Sequence, residues 1–150
     1  MSDNYIHIIP AEPGFVPEAR RQQDAVSYFH TIAPKADEVS ASVSELKFVD
    51  CGGNFERICC PSCGSLLELK LWQGWMADDY KEEGFTLTQH AMPCCGAQQT
   101  LHELEYEWPQ GFARCDICAM NPRIGKLSEA QRTRFEEILG CRIRVIYEHL

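Results

Sequence analysis

Two cysteine-bearing turns constrain this chain more than any other feature: Cys60-Pro61-Ser62-Cys63-Gly64 and Pro93-Cys94-Cys95-Gly96. Each is short and carries a glycine directly after its last sulfur, which lets two thiolates converge on one ion. Brought together they offer Cys60, Cys63, Cys94 and Cys95, a set that suits a closed tetrahedral Zn2+ site. A closed site builds structure and leaves no open position for chemistry, so it points away from an enzyme. The second turn is the less regular one. Met92 stands where the first turn has Cys60, and Cys94 is displaced into the bend. An alternative set keeps Cys95, buries Cys94 and is completed by His90 or His102.

At 150 residues, 45% apolar and 10% aromatic, the chain is expected to form one α+β domain, residues 1–150, with a real core. No apolar run approaches the roughly 20 residues needed to cross a bilayer. The start, Met1-Ser2-Asp3-Asn4-Tyr5, has neither the basic nor the apolar stretch of a secretion signal, so a cytoplasmic location is expected. Nine cysteines then imply a reducing compartment, and the odd count argues against a complete disulfide framework. Beyond the candidate ligands, Cys51, Cys59, Cys115, Cys118 and Cys141 are expected mostly as small buried hydrophobes.

Before and after the cysteine turns the chain shows the same order of elements. Tyr5–Ile9 is a short β-rich run. A helical spacing of Ala25, Val26, Phe29, Ile32 and Ala33 predicts a helix over 18–32, stopped by Pro34. Residues 38–49 alternate as a strand, with Val39, Ala41 and Val43 on one face and Ser40, Ser42 and Ser44 on the other. In the last third, 111–120 is β-like. Ser128 and Gln131 form a capping box ahead of a helix burying Phe135, Ile138 and Leu139, which ends at Gly140. Residues 142–147 close as a strand, with Ile143 and Val145 alternating against Arg142, Arg144 and Ile146. Two strand-helix-strand halves of this kind predict a ferredoxin-like sheet layer. Residues 50–108 are then a zinc-ribbon-like insertion between the halves. Within it we expect a strand over Leu67, Leu69 and Leu71, then a helix over 72–83 with Trp72, Trp75, Met76 and Tyr80 inward. A returning strand follows over 85–92.

The remaining chemistry is sparse. Cys115-Asp116-Ile117-Cys118 has ligand and redox spacing, but residues three apart on a strand face opposite ways, so both are expected as strand filler. His7, His30, His90, His102 and His149 are scattered and fit no catalytic signature. Glu103, Glu105 and Glu107 alternate with Leu104, Tyr106 and Trp108, and Asp78, Asp79, Glu82 and Glu83 form a second acidic group. Such clusters are a solvated edge or a docking face for a basic protein.

The three segments Cys60–Gly64, Pro93–Gly96 and Tyr106-Glu107-Trp108-Pro109-Gln110-Gly111-Phe112-Ala113-Arg114 together resemble the recurring text of a functionally uncharacterised bacterial family of small, acidic, zinc-ribbon-like proteins. The likeness spans nearly the whole chain, through Leu139-Gly140 and Arg144-Val145-Ile146-Tyr147. It implies the four-sulfur site and brings no activity with it. Relatives commonly place an aromatic residue after the Ala-Arg pair, where this chain has Cys115, which supports Cys115 as core filler. Small acidic bacterial proteins of this kind also resemble toxin-immunity or inhibitor proteins, by analogy of size and charge alone.

A formal charge of −8 repels a phosphate backbone and suits a basic protein partner. The expected function is therefore a zinc-stabilised protein-binding module, of which a toxin-immunity or inhibitor protein acting through an acidic surface is one kind. Two other classes remain open. One is a nucleic-acid-associated zinc ribbon using Arg20, Arg21, Arg123 and Lys126. The other is a thiol oxidoreductase using Cys115 and Cys118 or Cys60 and Cys63. The oligomeric state is not legible.

Overall fold

A computed structural model describes residues 2–150. The frame is a four-stranded antiparallel sheet of β1 (Asn4–Pro10), β2 (Glu38–Val49), β9 (Gly111–Met120) and β10 (Ile143–His149), in the spatial order β10-β1-β9-β2. Helix α1 (Ala19–Ile32) follows β1, and α3 (Glu129–Leu139) follows β9. Period-two alternation sends Ile6 and Ile8 of β1, Cys115, Ile117 and Ala119 of β9, and Ile143 and Val145 of β10 to one face. There they pack with Ala25 and Phe29 of α1 and Phe135 and Leu139 of α3. The α3 capping box forms as expected: the Ser128 hydroxyl accepts from the Gln131 N–H at 3.1 Å, and the Gln131 side chain accepts from the Ser128 N–H at 2.9 Å. Gly140 closes the helix in a left-handed conformation, φ 73°.

β2 is an edge strand with a register shift between Val43 and Lys47, so Val39 and Ala41 are half-buried but Val43 is exposed. Ile146 lies on the face opposite Ile143 and Val145, as the alternation predicts. It is buried on the far face, in a small cluster with Ile9, Val49, Cys51 and Ala113.

Between β2 and β9 lie small paired pieces. β3 (Arg57–Cys59) pairs with β8 (Glu105–Glu107), β4 (Tyr80–Lys81) with β5 (Gly84–Phe85), and β6 (His90–Ala91) with β7 (Gln98–Gln99), all antiparallel. Helix α2 runs from Leu69 to Asp79. The expected strand over Leu67–Leu71 is therefore absent. Only Leu67 is buried, and Leu69 already begins the helix. The expected helix over 72–83 starts earlier and stops four residues sooner, with Tyr80 outside at 59% exposure. The strand over 85–92 reduces to its two ends, because a backbone that pairs only at Gly84–Phe85 and His90–Ala91 has no ladder between them. Ile58, Cys60, Leu67, Met92, Leu101, Leu104 and Tyr106 make a separate cluster here, which Phe112 of β9 and Phe48 of β2 also enter.

Candidate metal centre and its surroundings

The two cysteine turns are built alike. In the first, the Cys60 N–H donates to the Ser65 carbonyl at 2.8 Å and the Gly64 N–H to the Cys60 carbonyl at 2.8 Å. In the second, the Met92 N–H donates to the Ala97 carbonyl at 2.9 Å and the Gly96 N–H to the Met92 carbonyl at 2.8 Å. Gly64 and Gly96 take φ of 77° and 75°, which a side chain would resist. Cys60 therefore matches Met92, and Cys63 matches Cys95. Cys94 occupies the place of Ser62, so the second turn presents its apex in place of its first residue. Met92 instead goes into the core, 2% exposed. The Ser62 hydroxyl accepts from the Gln99 side chain at 2.7 Å, tying the first turn to β7 behind the second.

This placement brings Cys60, Cys63, Cys94 and Cys95 together, with their Sγ atoms all within 4.8 Å of one another. Cys60 Sγ is 3.7 Å from Cys95 Sγ, and Cys63 Sγ is 3.2 Å from Cys94 Sγ. A tetrahedral metal–thiolate centre with bonds of about 2.3 Å has sulfur–sulfur edges of about 3.8 Å, so the four sulfurs lie close enough to hold one ion. Cys60 is buried, while Cys63, Cys94 and Cys95 face solvent. The Ser65 hydroxyl and backbone N–H favour the Cys63 thiolate and take it down to about 6. The Cys94 thiol, 3.2 Å from that sulfur, is pushed up to about 12, chiefly by this contact.

The substitute histidines are engaged elsewhere. His102 Nε2 donates to the Ala11 carbonyl at 2.8 Å and Nδ1 accepts from the Phe112 N–H at 3.0 Å, the pattern of a neutral ring. Burial and the Arg144 guanidinium hold it down to about 4. His90 Nε2 lies 2.9 Å from Asp79 Oδ2, and its ring stacks on Trp75 at 4.9 Å. Asp79, expected outside in an acidic cluster, is instead 1% exposed and also accepts from the Thr88 hydroxyl at 2.6 Å. The short span from α2 to β6 explains this, since His90 supplies a buried partner that charge spacing alone did not reveal.

Of the other cysteines, Cys51 and Cys115 are buried, and Cys59, Cys118 and Cys141 are half-buried. Cys115 packs under the helices, whereas Cys118 lies on the far face of β9 opposite His7. The acidic edge is partly spent. The Glu103 carboxylate accepts from the Thr100 N–H at 2.7 Å, and Glu107 pairs with Arg57 at 2.6 Å. The basic set is likewise divided: Arg123 donates to Asp37 at 2.7 Å and to the Lys35 carbonyl at 2.6 Å, while Lys126 sits 4.8 Å over the Trp108 ring. Arg20 and Arg21 share a pocket with Glu18, Asp24 and Glu137.

One group of side chains escaped the sequence reading. On the far face of the sheet, His7 Nδ1 lies 2.9 Å from Asp116 Oδ2 and Nε2 lies 2.7 Å from Glu148 Oε1, with Lys47 3.6 Å from the same Asp116 oxygen. The available signal was a lone polar residue inside each of two apolar strands, His7 within Ile6–Ile9 and Asp116 within Cys115–Ile117. No helix among the described residues is long and apolar enough to cross a membrane. Comparison of the chain with protein-family models, curated proteins and solved structures gives no match.

Proposed function

We propose that this chain is a zinc-stapled protein-binding module of the cytoplasm. In this reading a ferredoxin-like layer carries a zinc-ribbon-like insertion, and the partner is a basic protein such as a bacterial toxin held by an immunity protein. The observation that carries the reading is the convergence of Cys60, Cys63, Cys94 and Cys95 from two matched turns. The sheet order β10-β1-β9-β2, with α1 and α3 packed on one face, supports the ferredoxin-like layout. Thiolate donors in a tetrahedral set favour zinc. Zinc bound there supplies a fixed charge and four bonds that hold the turns. Cys60 anchors the site to the insertion's core, and Ser62 with Gln99 braces one turn against the other. The acidic balance and the exposed Asp78, Glu82, Glu83 and Glu105 supply the attraction for a basic partner.

The test is metal analysis of the purified chain beside Cys60→Ser and Cys95→Ser variants, followed by affinity capture against basic proteins of the same source. The expected result is one zinc per chain in the parent, little in either variant, and capture that weakens as salt is raised. A parent chain without metal, expressed in zinc-sufficient medium, overturns the staple. A thiol-redox reading draws on the 3.2 Å approach of Cys63 and Cys94. It predicts dithiol turnover by the metal-loaded protein, whereas the staple predicts none.

A further inference from the structure

A cleft on the insertion carries chemistry that the sulfur site does not use. Phe48 at the end of β2, Phe55 in the following loop and Trp72 on α2 line a space of about 230 Å³. The Trp72 ring centroid lies 5.9 Å from that of Phe48, inclined by 60°, and 6.2 Å from that of Phe55, at only 21° from parallel. Trp72 has no donor to spare for a ligand, because its indole N–H is given to the Tyr106 hydroxyl at 3.1 Å. Leu69 extends the apolar wall and is 47% exposed.

Asp50 is the one charged side chain lining this cleft. Its carboxylate accepts from the Gly52 N–H at 3.1 Å. No Lys, Arg or His nitrogen lies within ion-pair distance of it among the described residues. Burial and the neighbouring Glu148 carboxylate push its pKa up, against smaller lowering by the Gly52 N–H and by His7. Aromatic walls with a single carboxylate outside any ion pair are a combination that holds an ammonium group on an alkyl stem. An arginine fits less well, because Asp50 Oδ1 already accepts from the Gly52 N–H, so the carboxylate suits a compact ammonium better than a bidentate fork.

Building on the basic-partner reading above, we propose that this cleft seats a lysine side chain of the partner protein. Its methylene stem lies against Phe48, Phe55 and Trp72, and its ammonium meets Asp50. The charge of −8 draws a basic partner toward the chain, and this cleft gives it one place to anchor.

The probe is Nα-acetyl-lysine methylamide, titrated into the metal-replete full chain and followed by two-dimensional NMR at the Trp72 indole and the Asp50 amide. The norleucine, arginine and glutamate analogues serve as comparators. The expected result is saturable shifts at both positions, with the lysine ε-methylene protons moved upfield by the rings. The norleucine analogue, which keeps the stem and loses the charge, should bind about three- to fivefold more weakly, the size of one exposed ammonium contact. Asp50→Asn should lose the same factor, and Phe55→Leu should remove the upfield shift, both with unchanged metal content. Absent shifts, equal binding of norleucine, preference for arginine, or an Asp50→Asn variant that binds like the parent each overturns the proposal. Zinc content and partner capture are read separately, so the two ideas fail separately. Lysine binding without any basic partner leaves the cleft and removes the module. A captured partner with no response at Trp72 leaves the module and removes the cleft.

Discussion

Replacing His7 by glutamine tests the buried charge network most directly. The ring is 9% exposed, on the sheet face away from the helices. Burial disfavours its charge, but hydrogen bonding with Asp116, Cys118 and Glu148 outweighs that and raises it from 6.5 to about 12. Cys118 on β9, Lys47 on β2 and the nearby Asp50 complete the titratable surroundings. Both ring nitrogens therefore carry protons, and the imidazolium ties β1 to β9 and β10. Removing one partner of a buried ion set costs about 3–5 kcal/mol. Here Lys47 still reaches Asp116, and the Glu148 side chain is 17% exposed, which places the expected loss near the lower end, about 3 kcal/mol at pH 7. The sign of the pH dependence follows from a raised folded-state pKa. The His7 contribution is complete below 6.5 and is lost as pH climbs toward 12, by at most about 1.4 kcal/mol per unit. The stability gap between parent and His7→Gln should therefore shrink steadily from pH 7 to pH 9, by up to about 1.4 kcal/mol per unit. Urea unfolding followed by circular dichroism at pH 7, 8 and 9, with zinc held constant, measures it. A gap below about 1 kcal/mol at pH 7, or one that stays constant across the series, refutes a cationic His7.

Cys94→Ser should lower zinc affinity sharply while Cys59→Ser leaves it unchanged, because Cys94 lies in the four-sulfur group and Cys59, next to Cys60 in the chain, does not; a competitive zinc titration separates them. Met92→Ala should destabilise the chain by about 2–4 kcal/mol in denaturant melts, since a nearly fully enclosed side chain leaves a cavity in the middle segment's cluster. Ser128→Ala should cost about 1 kcal/mol through loss of the α3 cap, with the same midpoint shift whether or not zinc is present.

The frame was legible because its signals are local and repeated. The strands over 38–49 and 111–120, the Ser128 cap and the Gly140 terminus each follow from periodicity or turn chemistry within a few residues. The cysteine turns were legible for the same reason, down to the mismatch of Met92 with Cys60. The middle segment was not, because its pieces are two or three residues long and are held by partners far away in sequence. Leu67 and Leu69 alternate like a strand, yet Leu69 turns into α2, whose Trp72, Trp75 and Met76 pack against the insertion's cluster. Asp79 was misplaced because a run of acids describes a solvated face until one of them meets a histidine. The His7 network stayed hidden because its members come from β1, β2, β9 and β10, and no spacing rule links them.

Phe112 belongs to β9 by chain and to the middle segment's cluster by packing, and Phe48 of β2 leans on the same group at 5.0 Å. Trimming the gene to join residue 50 directly to residue 110 would thus not yield a clean miniature of the frame. It would strip two aromatic rings of their cover on adjacent strands, leaving a sticky shortened product. The two parts share a wall, and neither can be lifted out as a finished building block.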